Sequence, residues 1–521
     1  MVSVWSWLGA PIAMPPSPLA AGEKLYCISY APFRGNQSPL GTPTQIPASQ
    51  IDDDLARLAP ATNCVRTYST QDGLDQVPAI AAKYGLQVMQ GIWLSSNARR
   101  NREEIERGIA LAKQYPQVIR SLVVGNEVLL RGEMSVSDLV AAIREVKAAV
   151  TIPVTYAEVW EFWLRYRDVY AAVDFVTIHI LPYWEDFPIP AAQAGSHVSS
   201  IRAHVAQAFP DKEIVIGETG WPSAGRMREG ARPSPADQAR VMHDVLLVAK
   251  RGGYRVNLIE AFDQPWKRAL EGTVGGHWGV YDGQSRAPKF AWGEPVSNHP
   301  HWILQAALGF ALAAVIFLAA WWASRGIEGP GLRRWIPVAA IAATAGALTG
   351  LMAEAIPLES LGVGGWVRSL AMALAAIAGP PLAAAAIMRQ QPLPALATLL
   401  GGNGRALQDR LVLIAGGVFV LTLIMAVQTA LGLVFDPRYK DFPNAALGAP
   451  AAAYFILMMA TPRPRLEYGM AERLMAAVFV LSAVYIAFNE SFANWQAQWF
   501  AGLLLLLAVT LLRLAGVRRR G

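Results

Sequence analysis

The sequence predicts a chain of two parts: a (β/α)8 barrel of the α/β class, then an all-α membrane domain of about seven transmembrane helices. Three observations carry this. Apolar runs of strand length recur eight times before residue 300, amphipathic stretches separate them, and long apolar segments dominate afterwards. With 521 residues there is room for two sizeable domains. The expected boundaries are an N-terminal segment over 1–24, the barrel over 25–298 and the helical domain over 302–516.

The N-terminal segment has a short apolar run without basic residues ahead of it. It makes a poor secretory signal, is weak or disordered as structure, and contributes nothing to the fold argument. The eight strand candidates follow: LYCISY (Leu25–Tyr30), NCVRTY (Asn63–Tyr68), LQVMQGIW (Leu86–Trp93), SLVVGNE (Ser121–Glu127), IPVTYAE (Ile152–Glu158), VDFVTIHI (Val173–Ile180), EIVIGETG (Glu213–Gly220) and VNLIEAFD (Val256–Asp263). They are continuous rather than alternating, as expected of parallel strands buried on both faces. Between them lie helix signals. Ser135 opens a capping-box-like start before Val136, Leu139, Val140 and Ile143, and Ser234-Pro235 places a cap residue before a proline at the first helical position. A doubly wound open sheet is the competing architecture. It lacks a GxGxxG turn here, and eight units suit closure. The run Glu103, Glu104, Arg107 reads as a solvated helix face.

Seven spans are expected, near Trp302–Ser324, Trp335–Ile356, Gly362–Met388, Leu411–Val434, Asn444–Ala460, Leu474–Phe488 and Trp495–Leu512, the fifth and sixth being short for the purpose. Arginines sort by loop. Arg325, Arg333, Arg334, Arg389, Arg405, Arg410, Arg463, Arg465, Arg473, Arg513, Arg518, Arg519 and Arg520 fall on one side, against Arg368, Arg438 and Lys440 on the other. The positive-inside rule puts the tail in the cytoplasm and the barrel outside, which in a bacterium means an inner-membrane protein with a periplasmic domain. Glu354 and Glu490 sit near span ends, with no row of buried ionisable groups to suggest transport. Spans beyond what anchoring needs suggest a membrane partner, such as a glucan synthase, or a glycan path.

The net charge of +6 lies largely in these short loops, which argues for membrane topology and against nucleic-acid binding. Two cysteines, Cys27 and Cys64, without a CxxC pair exclude a zinc site; they read as buried thiols, a disulfide being the alternative. No metal-ligand cluster and no cofactor are expected.

In such barrels the chemistry sits at the C-terminal strand ends. There the fourth strand ends in Asn126-Glu127 and the seventh in Gly217-Glu218, while the eighth carries Glu260, then Trp266 and Lys267. Two carboxylates facing each other across the mouth suit glycoside cleavage: one protonates the leaving oxygen, and the other attacks or activates water. Arg66 is a candidate for holding Glu218 ionised, and Asn126 for bonding the sugar 2-hydroxyl. Tyr30 and Tyr68 end strands on the same face. Tyr183, Trp184 and Trp266, with Trp160 and Trp163, are candidates for stacking sugars. Glu260 with Lys267 reads equally as a site pair or a structural ion pair. His179 reads as a hydrogen-bonded core residue, and Trp221 as partly structural.

VVGNEVLLRG around Glu127, IGETGWPS around Glu218 and IEAFDQPWK around Glu260 resemble the signatures of glycoside hydrolase family 17, over about Leu25 to Trp292. The resemblance implies a retaining enzyme on β-1,3-glucan, with Glu127 as acid/base and Glu218 as nucleophile. The attached membrane domain is similar to that of membrane-bound bacterial members that elongate, branch or cyclise β-glucans by transfer to a second glucan. A transglycosylase forming β-1,3 or β-1,6 linkages is the first expectation, an endo-β-1,3-glucanase the second, and a glycan-binding membrane scaffold the third.

Overall fold

The computed structural model describes residues 2–41, 44–327, 329, 331–400, 409–462 and 469–515. Of the arginines used above for topology, Arg405, Arg463, Arg465, Arg518, Arg519 and Arg520 lie outside the described residues. The chain divides into two units. Residues 12–224 and 230–296 form one; residues 1–11, 225–229 and 297–521 form the other. The N-terminal segment, expected to be a weak signal or disordered, instead carries helix α1 (Val2–Leu8), which belongs to the second unit and buries Trp5 there.

The first unit is the predicted barrel. Strands β1 (Cys27–Ser29), β2 (Cys64–Arg66), β3 (Gln87–Ile92), β4 (Ile119–Asn126), β5 (Val154–Val159), β6 (Val176–His179), β7 (Ile214–Thr219) and β8 (Val256–Leu258) are all parallel and close in sequence order, β8 pairing back onto β1. Six lie inside the predicted apolar runs, while β4 begins two residues before its run and β5 ends one residue after. Buried aliphatics such as Ile28, Val65, Val88, Leu122, Val124, Ile178 and Ile216 supply the core. Around them run α2 (Ala48–Leu58), α3 (Val77–Lys83), α4 (Ala98–Gln114), α5 (Val136–Ala149), α6 (Trp160–Arg165), α7 (Ala191–Ala208), α8 (Pro235–Gly252) and α9 (Arg268–Gly275). The predicted caps form: Ser135 Oγ accepts from Asp138 N, and Ser234 Oγ accepts from Asp237 N.

Two expectations are corrected here. Cys27 and Cys64 are joined in a disulfide, because the β1–β2 register that pairs Ile28 with Val65 sets them side by side, Cα to Cα 4.4 Å. With a sequence separation of 37, the cross-link stabilises by roughly 4 kcal/mol in the chain-entropy account. We predict that the double variant Cys27→Ala/Cys64→Ala melts several degrees below the wild type in a thermal scan of the whole chain. An unchanged melting temperature would contradict this. Secondly, Glu104 is not solvated. Its carboxylate, 2% exposed, accepts bonds from Thr70 N (2.9 Å), Thr70 Oγ1 (2.9 Å), Trp93 N (3.2 Å) and Ser69 Oγ. It thereby ties α4 to the loops that follow β2 and β3.

The helical unit contains α10 (Trp302–Ser324), α11 (Leu332–Glu359), α12 (Gly362–Met388), the short α13 (Leu396–Leu400), α14 (Arg410–Phe435), α15 (Asn444–Ala460), α16 (Met470–Asn489) and α17 (Trp495–Leu514). Six of them (α10, α11, α12, α14, α16 and α17) are long and apolar enough to cross a membrane. The fifth expected span, α15, has 17 residues, about 26 Å of helix, short of a hydrocarbon core of roughly 30 Å. It is instead buried among the others, with Ala451, Ala453, Tyr454 and Leu457 inaccessible. Helices α10 and α11 run antiparallel in close contact, Gly309 lying against the carbonyl of Gly346, the small-residue approach typical of membrane helices. Both acidic groups noted at span ends are paired inside this unit. Glu354 accepts from Gln305 Nε2 (2.7 Å) and bonds His299 Nδ1 (2.8 Å), and Glu490 pairs with Arg226.

Candidate active site

Strand β4 delivers Asn126 and Glu127 through an unusual backbone. Gly125 (φ 85°) and Glu127 (φ 53°) both occupy the left-handed region, which costs a non-glycine residue free energy and is held only by its surroundings. Those surroundings are visible. Glu127 N donates to Ala157 O (2.8 Å), and the Glu158 carboxylate, at the end of β5, accepts from Leu129 N and Leu130 N (both 3.2 Å) and from the Tyr156 hydroxyl. Burial pushes the Glu158 carboxyl up.

Strand β7 delivers Glu218, 5% exposed. Its Oε1 accepts from Arg66 Nη1 (3.1 Å) and from the Tyr68 hydroxyl (2.8 Å). Burial, then the Glu218 charge, push the Tyr68 phenol well up, so it stays a donor. Arg66, wholly buried, also donates to Gly217 O (2.8 Å) and to Asn126 Oδ1 (2.5 Å), and lies 3.3 Å from His179 Nε2. The Asn126 oxygen is thus occupied, and its NH2 is turned away from the guanidinium.

His179, at the C-terminal end of β6, stands between the two acids. Nδ1 is 2.7 Å from Glu127 Oε1, and Nε2 is 3.6 Å from Glu218 Oε1. One carboxylate oxygen of Glu127, one of Glu218 and a His179 nitrogen lie within 4.8 Å of one another. Three such groups are also a possible cation set, but the buried Arg66 guanidinium already contacts both His179 and Glu218, which disfavours a second positive charge. Burial pushes the Glu127 carboxyl up, yet the bond to His179 and the charges of His179, Arg131 and Arg66 outweigh it and hold the group below the ordinary carboxylate range. An acid that must be protonated loses activity as pH rises through its pKa, so the lowered value places the basic limb of the free enzyme's kcat/KM profile at acidic pH. We predict that His179→Ala moves that limb to higher pH, because burial then acts with less opposition. A limb that stays put or moves down would refute the assignment.

The β8 side carries a second charged group. Glu260 Oε2 accepts from Lys267 Nζ (2.7 Å), and burial pushes Glu260 up to about 7, against the pull of Lys267. Glu271 on α9, a residue without a motif around it, is pushed up by burial against the pull of Lys267. Trp266, half-buried, donates Nε1–H to Gln264 Oε1 (2.9 Å), and Lys267 Nζ lies 5.9 Å from its ring centroid.

Other expected site residues go elsewhere. The Tyr30 hydroxyl donates to Asp54 of α2 (3.0 Å), in a buried network with Arg34 and Arg286, and does not join the pair. Tyr183 is fully buried, edge-on to Trp184, Trp221 and Trp278, and has no face for a sugar. Trp163 is likewise core, its Nε1–H donating to Thr177 O (2.9 Å). Trp184 and Trp160 remain half-buried. His179, read from the sequence as a hydrogen-bonded core residue, is one and in addition stands between the two acids, whereas Glu158 and Glu271 had no role in the sequence reading. Only His179 left a signal, its place at the catalytic end of a strand.

A closed parallel barrel whose mouth holds two close glutamates, an arginine and a histidine has the arrangement that glycoside cleavage requires. The comparisons sharpen this: residues 27–279, the barrel, match the family model of the BtgE/BtgC glycoside hydrolase domain. The glucan 1,3-beta-glucosidase of Candida albicans is 26% identical over 255 residues, 45% of this chain and 83% of that protein. That of Schizosaccharomyces pombe is 29% identical over 239 residues, 41% of this chain and 72% of that protein. Among solved structures, the glycoside hydrolase family 17 beta-1,3-glucanosyltransferase from Rhizomucor miehei aligns with TM-score 0.43 and 26% identity, over 51% of this chain and 95% of its own.

Proposed function

We propose that the barrel is a retaining enzyme that acts on β-1,3-glucan and passes a glucosyl unit from Glu218 to the hydroxyl of an acceptor glucan. The observation that carries this reading is the separation of Glu127 and Glu218, whose carboxylate oxygens come within 4.8 Å. Retaining pairs stand roughly 5–5.5 Å apart, whereas inverting pairs leave about 6.5–9.5 Å for a water.

In the first step Glu218 Oε2, the oxygen not engaged by Arg66 and Tyr68, attacks the anomeric carbon. The glycosidic C–O bond breaks, and Glu127 gives its proton to the departing oxygen. A sugar seated in the mouth strips water from Glu127 and moves its pKa upward, as burial already does. In the second step Glu127 takes the proton of an acceptor hydroxyl, whose oxygen displaces Glu218. The Asn126 NH2 suits the 2-hydroxyl of the bound glucose, and Trp266 and Trp184 suit the apolar faces of neighbouring rings. The names of the curated relatives support the substrate class.

Those same names, glucosidases, favour a second reading in which water resolves the intermediate. One incubation separates the two. Purified full-length protein in detergent is given a laminari-oligosaccharide and the products are followed by mass. Longer or cyclic products carry the transfer reading, shorter ones alone the hydrolytic reading, and an unchanged substrate overturns both. The arginines of the loops before α14, whose side does not depend on whether α15 crosses (Arg325, Arg333, Arg334, Arg389 and Arg410 against Arg368), and the Cys27–Cys64 disulfide together support a barrel on the oxidising, non-cytoplasmic side of the membrane, the periplasm in a bacterium.

A further inference from the structure

Helix α1 is a short apolar helix with one buried face and one open face. The sequence VSVWSWL carries no charge, and the first charged residue of the chain is Glu23. On the inner face Trp5 is 1% exposed. Its ring stands edge-on to His299 (centroids 5.9 Å apart) and lies against Gly350 of α11, where a Cβ would come within 2.4 Å of it. Gly9 follows, packed on the Trp302 ring at the start of α10, and its carbonyl accepts from Ser297 Oγ (2.8 Å). All these contacts lie within the helical unit, and they fasten α1 to the first turn of α10.

Among the described residues, nothing lies over the other face. Val2 is 53%, Val4 51% and Trp7 75% exposed, and beside them Ile303 and Leu304, in the first turn of α10, are 68% and 62% exposed. This apolar surface is therefore continuous with the outer wall of a helix long enough to span a membrane. At the far end of α10, Trp321 and Trp322 are exposed with Arg325 over both rings (4.2 and 4.3 Å), the pattern of an aromatic and basic boundary. The 23 residues of α10 put about 35 Å between that boundary and its first turn, which is the thickness of a hydrocarbon core with its margins. Trp7 thus sits at the level of the opposite boundary.

We infer that α1 lies along the membrane surface, with Val2, Val4 and Trp7 set into the zone between phospholipid headgroups and acyl chains. The occupant of the open face is lipid. Because the face has no charge, its insertion rests on apolar contact and does not require anionic lipid.

The test uses the full-length chain, whose two native cysteines are paired and leave a single new thiol free for labelling. Trp7→Cys, and independently Val4→Cys, carry an environment-sensitive fluorophore in phosphatidylcholine nanodiscs holding one chain each. Arg99→Cys, on the charged face of α4, serves as the aqueous reference. We expect positions 7 and 4 to emit at shorter wavelength than position 99. They should lose most of their emission to phosphatidylcholine bearing a nitroxide near the headgroup, and should resist aqueous iodide. Replacing part of the lipid by phosphatidylglycerol should change none of this. Iodide quenching at positions 7 and 4 equal to that at position 99 would overturn the inference. Protection that arises only when two chains share a disc would overturn it too, since the face would then belong to a second copy.

Discussion

Glu218→Ala should abolish turnover of β-1,3-glucan, lowering kcat by roughly 10^5-fold or more, as removal of an attacking group does elsewhere. Glu218 is the acid whose position is most tightly specified, with Arg66 and Tyr68 both on Oε1. Alanine leaves that pocket in place and takes away only the nucleophile. The measurement is initial rate on laminari-oligosaccharide, repeated with added azide. A small anion entering the vacated space should restore cleavage and yield a glycosyl azide of inverted configuration. Activity within about tenfold of the wild type would remove Glu218 from the chemistry.

Glu127→Ala should behave differently. With laminari-oligosaccharide the loss should be about 10^2 to 10^4-fold, the usual worth of a positioned acid. With an aryl glycoside whose leaving group needs no proton, the first step should be nearly intact, and the glucosyl-enzyme should accumulate as a burst. Azide should then rescue turnover with retained configuration, because it attacks from the side Glu127 guards. An equal loss on both substrates would mean that Glu127 is not the proton donor. The two variants together test the geometry: opposite stereochemistry of their azide products is possible only if the two acids serve opposite faces of one sugar.

Much of this was legible before any coordinates. Eight unbroken apolar runs become eight parallel strands because both faces of each strand are covered, and that burial is what erases alternation. Glu127, Glu218, Arg66, Asn126 and Tyr68 come together because all end strands at one rim. The same rule misled for Tyr30. A strand-end tyrosine is long enough to turn outward, and Asp54 of α2, buried between Arg34 and Arg286, draws its hydroxyl there. Glu104 looked solvated because helix charge patterns do not reveal four donors arriving from two distant loops. Tyr183 and Trp163 looked like sugar platforms because sequence cannot distinguish an aromatic that lines the mouth from one that seals the wall behind it. His179 is the hydrogen-bonded core residue that the sequence suggests, but a lone histidine carries no pattern that would set it between two acids. Helix α15 was counted as a span on composition, although its length fits the inside of a bundle better than a bilayer.

Arg66 has a consequence for stereochemistry. One planar fork from β2 reaches Glu218 and Gly217 on β7, Asn126 on β4 and His179 on β6, so four staves of the barrel converge on a single rigid cation. The gap between Glu127 and Glu218 is therefore not a free parameter of the two strand ends that bear them. Lysine, a point charge on a floppy stem, has no fork with which to reproduce that span. On the proposed function, whether the sugar keeps or flips its anomeric configuration is thus set behind both acids, by a side chain buried in the barrel.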